Sequence, residues 1–148
     1  MIDFAESLRS TFGDRVQVNA ALAPLTTFRV GGPAQWLIET RGSEETLAAQ
    51  RLAHQAGVAV TMLGGGSNLL VADGGVRGLV IRPRGGEVRA VDDNHVEADA
   101  AVTINGLVRW MINHGRAGLE AWAGTPGTVG GAIFGNAHFG GRPIGDLV

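Results

Sequence analysis

Met62-Leu63-Gly64-Gly65-Gly66-Ser67-Asn68-Leu69-Leu70 is the stretch on which the reading of this chain turns. It follows Val58-Ala59-Val60-Thr61-Met62-Leu63, an apolar run of strand length with β-branched residues, which reads as a buried strand. Three consecutive glycines lack Cβ atoms, so a ligand can approach the main chain closely and positive φ is accessible. Ser67 and Asn68 add a hydroxyl and an amide without charge. Consecutive N–H groups in such a turn form a concavity that suits an anion, phosphate above all. A triple glycine alone favours a plain tight loop between strands. A second glycine-rich stretch, Gly124-Thr125-Pro126-Gly127-Thr128-Val129-Gly130-Gly131-Ala132, favours the ligand reading.

Neither stretch obeys the familiar glycine rules. A Rossmann fingerprint needs Gly-x-Gly-x-x-Gly opening a helix. Here Gly64-x-Gly66 has Leu69 at the third position, and the residues that follow read as strand, so no helix dipole is available. A nucleophile elbow around Ser67 would need glycine where Leu69 stands.

Outward from the loop, Trp36 to Thr40 reads as a strand. Ser43 is a natural N-cap with Glu44 and Glu45 in the first turn, and the helix it opens ends at Ala56 before Gly57. Residues 36–63 therefore form a βαβ unit, expected to be right-handed. Upstream, Phe4, Leu8 and Phe12 line one face of a helix over 2–12 that stops at Gly13, and Arg15 to Val18 alternates like a short strand. Downstream come a short Leu69-Leu70-Val71 segment, a turn at Asp73-Gly74-Gly75 and a strand from Gly78 to Arg82. A hairpin of 88–91 with 95–98 across Asp92-Asp93-Asn94 follows, with Ala100 to Val102 extending its sheet. Thr103 caps a helix with an apolar face of Ile104, Leu107, Val108, Met111 and Ile112, closed by His114 and Gly115. Residues 128–136 predict a helix whose N-terminus faces a ligand. This order suggests two α/β lobes, with both glycine loops in the second or at its border.

Composition excludes several chemistries. The 148 residues are 45% hydrophobic and 18% charged, enough for a real core in one or two small domains. A net charge of -2 carries no nucleic-acid signal. With no Cys there is no disulfide, thiolate metal site or thiol nucleophile. All 12 basic residues are Arg, so there is neither a phosphate-binding Walker lysine nor a Schiff base. No metal-ligand spacing occurs. No apolar run approaches the ~20 residues of a membrane span, and nothing resembles a signal peptide, so the expected location is the cytoplasm. The 24 glycines show no fixed period and are read as loops.

Taken together, Thr27-Phe28-Arg29-Val30-Gly31-Gly32-Pro33-Ala34, Leu63 to Leu70, Gly118-Leu119-Glu120, Thr125 to Ala132 and Asn136-Ala137 resemble the UDP-N-acetylenolpyruvoylglucosamine reductases, from about residue 20 to the end. The resemblance implies the two-subdomain α+β fold of vanillyl-alcohol oxidase and p-cresol methylhydroxylase, gripping non-covalent FAD. The implied division is a lead-in of 1–19, a first subdomain of 20–66 and a second of 67–148 that is incomplete at its C-terminus, with the substrate domain absent. The implied cofactor residues are Leu63, Gly64, Gly65, Gly66, Ser67, Asn68 and Leu69 in the first loop, with Ser67 and Asn68 on the diphosphate. Thr125, Pro126, Gly127, Thr128, Gly130, Gly131, Ala132 and Asn136 are implied in the second. Arg29 is either an added cation for the diphosphate or a solvated surface arginine.

The family reaction carries hydride from NADPH through FAD to the double bond of UDP-N-acetylglucosamine enolpyruvate, forming UDP-N-acetylmuramate for peptidoglycan synthesis. The family's catalytic arginine, serine and glutamate fall beyond residue 148, so no catalytic residue is carried over and the chain alone is expected to be inactive. Asn136-Ala137-His138-Phe139-Gly140-Gly141 departs from the family's Asn-Ala-Gly-Ala-Tyr-Gly. His138 reads either as a group near the flavin or as a satisfied surface histidine. Another FAD oxidase or dehydrogenase of the same fold, or a non-catalytic nucleotide- or partner-binding module, remain alternatives. Oligomeric state is not legible.

Overall fold

The structure is a computed structural model that describes residues 3–148. It divides into two compact units, residues 1–84 and 85–148. The boundary expected between residues 66 and 67 is thus corrected to the Arg84–Gly85 junction. The physical reason is the strand at Val76–Arg84, which completes the sheet of the first unit rather than opening a second one.

In the first unit, helix α1 (Phe4–Phe12) starts after Asp3, whose carboxylate accepts the Ala5 N–H, and stops at Gly13, where φ is 61°. Ile2, included in the expected helix, lies outside the described residues. Strands β1 (Gln17–Ala21), β2 (Pro33–Arg41), β3 (Val60–Met62) and β4 (Val76–Arg84) form one sheet in the order β1-β2-β4-β3. The β1–β2 pair is antiparallel and the other two pairings are parallel. Helix α2 (Gly42–Gln55) connects β2 to β3, so the expected βαβ unit is present with β4 inserted between its strands.

That central position explains the unbroken Leu79-Val80-Ile81 run, since a strand covered on both faces needs no polar alternation. Leu79 and Ile81 are 0% exposed against Phe4, Leu8, Phe12, Ala49 and Ala53 of the two helices. Val80 and Leu37 point to the other face, where Leu22, Leu63 and Val71 cover them. Between Ala34 and Trp36 the β2–β4 register shifts by one residue. Gly78, at φ 91°, occupies this bulge, and the Gln35 side chain accepts its displaced N–H at 2.9 Å.

Ser43 does not cap α2. The helix begins two residues earlier, at Gly42 after Arg41, and the Arg41 N–H donates to the Glu45 carboxylate at 2.8 Å. Arg15 holds the same carboxylate through two nitrogens at 2.8 and 3.0 Å, a bidentate pair. These bonds, the Arg15 side chain first, hold Glu45 below the usual carboxylate range. Residues 69–72 form no strand; they run over the sheet face on buried Val71.

In the second unit, β5 (Val88–Ala90) and β6 (Val96–Ala98) form the expected hairpin. Asp92 closes its turn by accepting the backbone N–H groups of Asn94 and His95, and these bonds together with the His95 ring hold its carboxyl below the usual range. Residues 100–102 do not extend this sheet. Helix α3 (Ile104–Asn113) follows, its Thr103 cap accepting the Gly106 N–H at 3.0 Å. Ile104, Leu107, Val108 and Met111 are buried with Trp122, but Ile112 is 60% exposed, so the apolar stripe is narrower than expected. Helix α4 spans Val129–Phe134, shorter than the expected 128–136, and the chain ends in a small hairpin of β7 (His138–Phe139) and β8 (Arg142–Pro143) followed by a 3-10 turn at Ile144–Leu147.

Candidate functional site: two glycine loops of different kinds

The first loop leaves β3 at the carboxyl end of the parallel strands, the edge at which open α/β sheets bind ligands. Leu63 anchors it twice, with its side chain 2% exposed in the second-face core and its N–H donating to the Ile81 carbonyl at 2.8 Å. Val71, and Leu69 packed beside it, anchor the far end. The glycines between these anchors cannot sink into the core and lie along its rim.

Gly66 is buried at φ 67° because residues 25–27 press on it. A Cβ there would stand 2.0 Å from the Leu25 carbonyl oxygen, and its own carbonyl accepts the Thr27 N–H at 3.0 Å. Gly64 is half-buried and Gly65 exposed, neither at positive φ. Among the described residues, no protein group accepts a hydrogen bond from the backbone N–H groups of residues 64–70, and the side chains of Ser67 and Asn68 have no protein partner. Seven consecutive unbonded amides beside a free hydroxyl and a free amide side chain are a donor array suited to a diphosphate.

The second loop is unlike the first. Most of its amides are already used: Thr125 donates to Trp122, Val129 to Val102, Gly130 to Ala100, Gly131 to the Thr128 hydroxyl and Ala132 to the Thr128 carbonyl. The helix N-terminus expected to face a ligand is therefore tied to residues 100–103, reinforced by the Thr103–Thr128 bridge. Gly130 is required there, since a Cβ would lie 2.8 Å from that of Ala100. Thr128 and Ala132 are buried structural residues, Gly127 is half-buried and Pro126 and Gly131 are exposed.

Three groups in this loop lack a partner among the described residues. The Gly127 and Thr128 amides have no acceptor among the described residues, and the Thr125 hydroxyl is buried without any hydrogen-bond partner. An orphaned buried hydroxyl costs on the order of 1–3 kcal/mol, which a cofactor oxygen or nitrogen would relieve. Asn136, at φ 41°, uses its side-chain oxygen to accept the Gly145 N–H at 3.1 Å, a structural task. His138 is exposed on β7. Glu120 folds back to accept its own and the Gly118 N–H, which holds its carboxyl below the usual range.

The structure also answers the arginines. Arg82 pairs with Glu39 at 2.8 Å and Arg84 reaches the same carboxylate at 3.7 Å. Arg29 has no salt bridge among the described residues and stands in the turn that holds Gly66. Proximity of this turn to the loop was not legible from spacing, because 37 residues separate Arg29 from Gly66.

The family model described as FAD binding domain matches residues 34–147. The chain belongs to this family. Within it, the chain is 42% identical over 137 residues to a UDP-N-acetylenolpyruvoylglucosamine reductase of Synechococcus sp. (strain JA-3-3Ab), covering 90% of this chain and 43% of that protein. It is 48% identical over 125 residues to the reductase of Caulobacter sp. (strain K31), with 83% and 40% covered. The crystal structure of UDP-N-acetylenolpyruvylglucosamine reductase from Thermus caldophilus superimposes with a TM-score of 0.67 at 35% identity, covering 88% of this chain and 46% of that one. The chain thus spans less than half the length of these relatives, as the FAD-binding portion they share. No helix among the described residues is long and apolar enough to cross a membrane.

Proposed function

We propose that this chain is the FAD-binding part of a UDP-N-acetylenolpyruvoylglucosamine reductase, built on the vanillyl-alcohol oxidase / p-cresol methylhydroxylase type of fold. As part of the full-length protein it would work in the cytoplasm in peptidoglycan synthesis, with NADPH as co-substrate and UDP-N-acetylglucosamine enolpyruvate as substrate. The observation that carries this reading is the run of unbonded amides over residues 64–70 at the carboxyl end of β3. Gly64, Gly65, Gly66, Ser67, Asn68 and Leu69 hold the diphosphate through backbone and side-chain donors, each charge-assisted bond contributing on the order of 1.5–3 kcal/mol. In the second unit, taken by itself, the Thr125 hydroxyl and the Gly127 and Thr128 amides are the donors without a partner among the described residues. Gly130, Ala132 and Asn136 act by holding that loop in shape. Bound FAD would supply hydride transfer between NADPH and the enolpyruvyl carbon. The chain's own residues bind and orient it without a covalent tether, since Cys is absent and neither loop carries a His.

Gly65 permits a clean test, being exposed and not at positive φ, so that Gly65→Val burdens the ligand rather than the fold. Flavin affinity, followed by fluorescence quenching, is expected to fall at least tenfold, about 1.4 kcal/mol. An unchanged dissociation constant removes the assignment.

A further inference from the structure

Arg29 holds a backbone conformation that its side chain does not favour. Its φ is 54°, in the left-handed region, and the other two non-glycine residues of that kind, Asn19 and Asn136, are asparagines, which tolerate it. Two residues later the chain has Gly31 and Gly32, so glycine was available to this segment; arginine stands at the strained position instead. Strain of this kind persists where the surrounding structure imposes it.

The surroundings do impose it. The turn closes through the Arg29 N–H to the Thr26 carbonyl at 3.3 Å. On one side the Thr27 N–H donates to Gly66, and on the other the Gly32 N–H donates to Ala72 at 2.9 Å. Residues 28–31 are therefore strapped alongside residues 66–72, the stretch that carries most of the unbonded amides. Gly31 fits so closely that a Cβ would lie 2.4 Å from the Val71 carbonyl oxygen. The strap presents exposed groups beside that donor array: Phe28 is 59% exposed, and the Arg29 side chain is exposed with no salt bridge among the described residues.

We propose that Arg29 is the counter-charge of the dinucleotide site, its guanidinium directed at the diphosphate that the Gly64–Leu70 amides bind. A loop of neutral donors leaves the two negative charges of a diphosphate uncompensated, and the chain has no lysine to supply the balance. A guanidinium offers a planar pair of N–H donors to phosphate oxygens. The strained turn fixes where that fork originates. This inference rests on the reading of the glycine loop as the diphosphate site.

The test uses the 148-residue chain and two probes, FAD and ADP, titrated by calorimetry at low and high salt. Arg29→Gln is expected to weaken both about tenfold and to flatten the salt dependence, because an exposed charge pair is screened. Arg29→Lys should retain most of the salt dependence. Arg29→Gly removes the strain together with the charge, so it should melt no lower than the parent without ligand while binding about tenfold more weakly. Parent-like affinity of Arg29→Gln and Arg29→Gly for both probes, with Gly65→Val impaired, overturns the role of Arg29 and leaves the loop assignment standing. Absence of FAD and ADP binding by the parent chain, or unimpaired Gly65→Val, overturns both.

Discussion

Single glycines in the first unit differ in why they are glycine. Gly65 faces solvent; Gly66 faces the protein. At Gly66 a methyl group would meet the Leu25 carbonyl oxygen at 2.0 Å in a left-handed backbone, and nothing flexible can move aside. Gly66→Ala should therefore lower stability by about 2–4 kcal/mol, combining the φ penalty with displacement of residues 25–27. Thermal unfolding followed by circular dichroism checks this. A melting temperature within a degree of the parent would show that the loop does not rest on Leu25. The contrast with Gly65→Val, which should melt normally and bind poorly, separates scaffold from site one residue apart.

At the scale of an element, α2 is tied to the body of the first unit by Glu45, which receives both Arg15 nitrogens and the Arg41 N–H. Its folded pKa is depressed, first by the Arg15 side chain and then by the Arg41 amide. The folded state thus holds the ionised form more tightly than the unfolded chain does. The stabilisation is fully present above the ordinary glutamate range and is lost as pH falls through the lower folded value. Both partners are a third or so exposed, so water and salt screen much of this effect. Glu45→Gln should lower the melting temperature at neutral pH and leave it nearly unchanged at a pH low enough to protonate the parent carboxylate. An equal loss at both pH values would place the effect of Glu45 in packing rather than charge.

For the whole molecule, hydride transfer to an enolpyruvyl group builds negative charge beside a carboxylate, which calls for a cation and a proton donor at the substrate. The chain has no Lys, Cys or Tyr, and its serines other than Ser67 are Ser7 and Ser10 on α1 and Ser43 on α2, at structural positions. Arg82 and Arg84 are engaged with Glu39. The 148-residue chain should bind FAD yet show no substrate-dependent NADPH oxidation, and a protein carrying the relatives' remaining length should turn over. Substrate-dependent oxidation by the chain alone would place the catalytic groups within it.

What the sequence determined by itself was local. Period-four apolar spacing placed α1 and most of α3; the apolar run ending at Leu63, followed by three glycines, placed the loop that leaves β3; Thr103 and Gly57 marked helix ends. These signals depend on neighbours a few residues away, so they survive without a fold. Tertiary structure decided the rest. Strand order made Val76–Arg84 the centre of the first sheet and moved the boundary from residue 66 to 84. Tertiary contacts started α2 after Arg41, whose N–H goes to the Glu45 carboxylate, and tied the Val129 and Gly130 amides of the second glycine loop to Val102 and Ala100, while the amides of the first have no acceptor among the described residues. A glycine-rich sequence shows that donors exist; only the packed chain shows which of them already have acceptors.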